Sequence, residues 1–139
     1  MKAMNRLIAL RKHWLTMNAV GDFSGSNIDT AASPFFLLQD GSNFDERFLR
    51  LSVWLGLLFV VVEGYLELKL NDARIDAFLA HKNRVGELRL FRNCIFHYQK
   101  DVQDPRLQKF LGREACMGWA HELSRAIGQL LERELQRYR

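Results

Sequence analysis

The sequence predicts an all-α fold: an antiparallel up-and-down bundle of four main helices with one or two short ones. Three observations carry this. Apolar residues recur at helical spacing over four long stretches, no stretch reads as a convincing strand, and two segments open on helix-capping patterns. At 139 residues the chain makes one domain. A chain of this size buries roughly 65–70% of the surface it exposes when unfolded.

The first helix covers residues 3–19, where Met4, Leu7, Ile8, Leu10, Trp14, Leu15 and Met17 recur at helical spacing. Gly21 ends it, and a polar connection runs through Asn43. A loop that long is unusual in a bundle and suggests mobility or function. Ser33-Pro34 followed by Phe35, Phe36, Leu37 and Leu38 suggests a short docked turn within it.

Asn43 with Glu46 three residues later is a capping box. From Phe44 the chain can run as a helix to about Leu70, apolar nearly all round through Leu49, Trp54, Leu55, Leu57, Leu58, Phe59, Val61, Val62, Tyr65 and Leu66. Such a helix must be covered on more than one side, by its own bundle and by a second subunit if there is one. Ser52, Gly56, Glu63 and Glu67 share one strip, either a small-and-acidic groove or a mildly exposed edge. The uninterrupted apolar run is Leu51 to Val62, 12 residues. A bilayer span needs about 20, so the run reads as a core helix and no membrane is expected.

Asn71-Asp72 breaks the pattern, and Ile75, Phe78 and Leu79 suggest a short capping helix. A third main helix is expected from about Arg84 to Tyr98. Asp104-Pro105 restarts the chain for one or two turns to Leu111, where Gly112 stops it. The last helix covers 114–138, with Met117, Ala120, Leu123, Ile127, Leu130 and Leu131 inward.

The formal charge of +4 is uneven: residues 84–113 hold seven basic and three acidic groups. That local excess attracts a polyanion or is simply a solvated face. Cys94 and Cys116 are too few for a secreted disulfide framework and read as reduced thiols of a cytoplasmic protein. Arg11, Lys12 and His13 interrupt the apolar stretch a secretion leader needs.

The third main helix holds the chemistry. Leu88, Phe91 and Ile95 form its core stripe, with Val85 and Tyr98 flanking. Arg92 sits at the stripe's edge and needs an acceptor, because an unpaired buried charge is costly. Glu63, isolated in the apolar run, is the natural partner, whether the pair is structural or holds a working arginine. Asn93 and His97, four apart, share the opposite face with Leu90, and Cys94 lies beside them.

Arg92 to His97, R-N-C-I-F-H, resembles the Arg-x4-His signature of the HEPN superfamily, with the frequent polar residue after the arginine. The resemblance covers six residues specifically, and the architecture of most of the chain. It implies a metal-independent, cofactor-free endoribonuclease, a toxin or defence effector whose two protomers bring their motifs together in a cleft. In that reading His97 is the general acid/base, Arg92 the phosphate clamp and Asn93 a positioning hydrogen-bonder. The residue types suit this: imidazole moves protons near neutral pH, and guanidinium stabilises charge building on a phosphate.

The partners implied are single-stranded RNA, a second copy meeting through the second and third main helices, and an antitoxin protein. Some relatives carry a tyrosine two places after the histidine that a nucleotidyltransferase modifies. Here Tyr98 follows immediately and Gln99 holds the later place, so that partner is not implied. The alternative is a non-catalytic helical module that binds nucleotide, RNA or protein. A zinc set of Cys94, His97, Cys116 and His121 is disfavoured, since both pairs fall within predicted helices. His13 and His121 read as ordinary helix residues, and Trp14, Trp54 and Trp119 as core.

Overall fold

The computed structural model describes residues 1–22, 46–97, 104–113 and 115–139. Among these there are six helices and no strand: α1 (Lys2–Asp22), α2 (Glu46–Glu67), α3 (Ala73–Leu79), α4 (Lys82–Phe96), α5 (Pro105–Leu111) and α6 (Cys116–Gln136). Four are long and two short, packed as an all-α bundle. The connection through Asn43, its capping box, Tyr98 and Gln99 lie outside the described residues.

Helix α2 is the centre. Leu51, Trp54, Leu55, Leu58, Phe59, Val61, Val62 and Tyr65 are buried on it, because α1, α4 and α6 all pack against it. By length and composition, Leu49–Glu67 is the one stretch among the described residues able to cross a membrane, and 56% of it is buried inside the bundle. That burial is what a core helix shows.

The close approach of α1 depends on two glycines. A Cβ on Gly64 would sit 2.5 Å from Leu10 Cδ1, and one on Gly128 would overlap the Trp14 indole. Trp14 donates its indole N–H to the Ser124 carbonyl at 2.9 Å, which fixes α1 on α6. Leu7, Leu10 and Met17 point inward as expected, but Ile8 and Leu15 are 49% and 46% exposed. At ~100° per residue those two lie far around the helix from Leu10 and Met17, so the inward stripe is narrower than the apolar count suggests.

Helix α2 ends at Glu67, short of Leu70. Lys69 takes a left-handed backbone (φ 53°), and the Leu70 N–H reaches back to the Tyr65 carbonyl at 3.2 Å. Asp72 then caps α3, accepting from the N–H of Arg74 at 3.0 Å and of Ile75 at 3.1 Å. Its second oxygen takes Arg133 of α6 at 2.6 Å, and Arg74 reaches Glu122 at 2.9 Å. Tyr65 donates to Asp76 at 2.6 Å from a buried position. Burial and that carboxylate push its phenol up to about 12. Together these contacts clamp α3 onto α2 and α6.

Asp104 caps α5 at the Arg106 N–H, with Pro105 at the first position. Phe91, Phe110 and Trp119 link α4, α5 and α6 through ring contacts of 5.9 and 6.3 Å. The inward residues expected on the last helix are all buried, and Trp54 and Trp119 are core.

Candidate functional site

Helix α4 begins at Lys82, two residues before the expected start, and ends at Phe96. His97 is its C-cap, with extended backbone (φ −116°, ψ 143°) and its N–H on the Asn93 carbonyl at 3.2 Å. The helix therefore stops one residue before His97, which closes its last turn, instead of running on through it. The physical reason is local: Ile95, Phe96 and His97 are β-branched or aromatic residues that lose side-chain freedom in a helix. Phe96 also lies against α2, where a Cβ on Gly56 would come within 3.0 Å of its ring. His97 itself is exposed.

Arg92 lies where the sequence places it, at the core's edge and 21% exposed. Its Nη1 donates to Glu63 Oε2 at 2.9 Å and its Nε to Asn93 Oδ1 at 2.9 Å. The guanidinium lies over the Phe59 ring at 4.7 Å, one helical turn before Glu63. Glu63, Asn93 and Phe59 thus hold Arg92 on three sides. Among the described residues its Nη2 has no hydrogen-bond partner, so one donor edge is left for a ligand. Phe59 was read only as core; its four-residue spacing from Glu63 was the signal that both face the same neighbour.

Cys94 does not lie beside Asn93 and His97 as expected. It is buried toward α5, where burial and then the Asp104 carboxylate push its thiol up, leaving it a poor nucleophile. The imagined zinc set is not assembled. Cys116 donates to the Leu111 carbonyl at 3.6 Å, and the His121 ring stacks on Trp54 at 4.7 Å. Among the described residues no group of three or more His, Cys, Asp or Glu side chains could hold a metal ion.

The strip on α2 divides. Ser52 and Gly56 are buried, whereas Glu63 and Glu67 line an open groove of about 280 Å³ against Arg6 and His13 of α1. His13, an exposed residue within α1, is among the residues that line this groove. Of the seven basic groups of 84–113, three hold a carboxylate: Arg92 with Glu63, Arg106 with Asp104 at 2.8 Å, and Arg113 with buried Glu87 through two contacts of 2.6 Å. Pairing with Arg106, by side chain and then backbone N–H, holds the Asp104 carboxyl down at about 2.

Comparison with protein-family models, with curated proteins and with solved structures gives no match to this chain.

Proposed function

We propose that the chain is a HEPN-like antiparallel bundle, a cytoplasmic, metal-independent endoribonuclease that cuts single-stranded RNA as a homodimer, serving as a toxin or defence effector. One observation carries this reading: Arg92 is held by Glu63, Asn93 and Phe59, its Nη2 has no hydrogen-bond partner among the described residues, and His97 is exposed five residues on.

A fixed guanidinium with a spare donor suits a scissile phosphate, because its charge and geometry are in place before the ligand arrives. In the step proposed, the ribose 2′-oxygen bonds to phosphorus and the bond to the 5′-oxygen breaks. One imidazole accepts the 2′-hydroxyl proton and another donates one to the leaving oxygen, the two coming from two protomers. The products are a 2′,3′-cyclic phosphate and a 5′-hydroxyl. Leu49 and Leu66 on α2 and Phe96 on α4 are exposed apolar side chains that a second copy meeting through those helices can cover. An antitoxin protein is the partner expected for a toxin of this kind.

A second reading, a non-catalytic module binding RNA, nucleotide or a protein partner, is favoured by one specific observation. The contacts of Arg92 with Glu63, Asn93 and Phe59 are also those of a structural ion pair at the core's edge, which needs no reaction at His97. Incubation with single-stranded RNA in EDTA separates the two readings. The enzyme cuts, and His97→Ala and Arg92→Ala abolish cutting. The module binds without cutting, and cutting that is equal in all three proteins points to contamination.

A further inference from the structure

Helix α1 turns an apolar ridge outward. Ile8 and Leu15 are 49% and 46% exposed and lie one heptad apart, about 10 Å at ~1.5 Å per residue. Beside the ridge, α1 and α6 enclose a groove of about 330 Å³ whose lining includes Arg11, Trp14, Arg125, Gly128, Leu131 and Glu132. Its wall is rigid: the Trp14 indole fills the space a Cβ would take at Gly128, and its N–H is tied to the Ser124 carbonyl. At ~100° per residue Arg11 falls between Leu15 and Trp14, so ridge and groove run side by side along one face. The charge of that face is positive. Helix α1 holds Lys2, Arg6, Arg11 and Lys12 against Asp22 alone. Around the groove, Arg11 reaches Glu132 at 3.7 Å, and Arg125 shares Glu122 with Arg74. Lys12 is exposed between Ile8 and Leu15.

Charge and shape together select the occupant. A second copy laid with its α1 on this one about a two-fold axis would bring Arg11 and Lys12 of both copies together, and like charges oppose that. A flat anionic bilayer meets the ridge but does not enter the groove. A rod with apolar side chains along one edge and carboxylates beside them meets ridge, groove and cations at once. We propose that this face of α1 and α6 docks an acidic amphipathic helix of another protein. Its apolar residues, repeating by heptads, pack on Ile8 and Leu15 and into the groove over Trp14, and its carboxylates meet Arg11, Lys12 and Arg125. The proposal stands apart from the reaction assigned to Arg92 and His97, since none of its residues belongs to that site.

The test is fluorescence anisotropy of a labelled helical peptide of about three heptads, with leucine at the first and fourth places of each and glutamate flanking them, which also keeps it from pairing with itself. Wild type is expected to bind it, less tightly at high salt, and to ignore the same peptide with lysine for glutamate. Leu15→Glu is expected to weaken binding about tenfold or more, by removing an apolar anchor and adding a like charge. Lys12→Glu should weaken it about fivefold, and the exposed control Arg89→Glu should bind like wild type. Leu15 and Lys12 are surface positions, and an unchanged urea midpoint shows that both variants fold. Wild type that does not bind the acidic peptide overturns the proposal, as occupation of the face by another part of this chain would produce. So does binding that neither variant alters. Sedimentation showing a dimer that Leu15→Glu splits assigns the face to a second copy instead. Capture by phosphatidylserine vesicles that Lys12→Glu abolishes, without peptide binding, assigns it to lipid, and either result overturns the proposal.

Discussion

At the scale of single residues, the arginine matters through what surrounds it. The Arg92–Glu63 pair is part-exposed on both sides, 21% and 48%, so its own contribution to stability is small, about 0.5 kcal/mol. What it supplies is orientation. Glu63→Gln is therefore expected to shift the urea midpoint little while lowering RNA cleavage severalfold, and Glu63→Asp to restore cleavage in part. Paired unfolding and cleavage measurements on the same preparations check this, and a large stability loss with unchanged cleavage would mark the pair as structural. The pair was legible in the sequence because a lone acid in an apolar helix and an arginine at a core edge each need a partner. The position of His97 was not legible, because a helix end decided by a single turn of weak formers and a contact from another helix leaves almost no periodic signal.

At the scale of elements, the long helices were legible wherever one face repeats. Helix α6 shows this best, with every residue expected inward buried. Helix α1 shows the limit, since Ile8 and Leu15 fit the spacing yet face out. Nor does the sequence reveal how closely helices approach, because a glycine within a helix looks the same whether space around it is open or closed. Gly64 and Gly86 separate these cases. Gly64→Ala places a methyl against Leu10 and is expected to cost about 1–3 kcal/mol by overpacking. Gly86 has nothing within 4 Å of a built Cβ, so Gly86→Ala is expected to add about 0.5–1 kcal/mol from helix propensity alone. Urea unfolding of both variants tests the packing of α1 on α2 against the open side of α4.

At the scale of the whole molecule, acid should loosen the bundle in two stages. Among the described residues the buried His121 Nε2 has no hydrogen-bond partner, and burial, with the Arg125 charge, pulls the imidazole below its ordinary 6.5. A group depressed on folding contributes its full stability above 6.5 and loses it as pH falls below. Asp72 and Asp104 follow lower down, both depressed below 3.8. Burial opposes the shift at Asp72 but is outweighed by the Ile75 N–H and Arg133. The urea midpoint is thus expected to fall once below pH 6.5 and again between 3.8 and about 2, with His121→Phe removing only the first fall. For function, the same bundle presents Arg92 and His97 at one end of α4. The most direct measurement is end-group analysis of RNA incubated with the protein in EDTA. The account predicts 2′,3′-cyclic phosphate and 5′-hydroxyl ends that disappear with His97→Ala and with Arg92→Ala; uncut RNA, or cut ends that form equally in both variants, would contradict it.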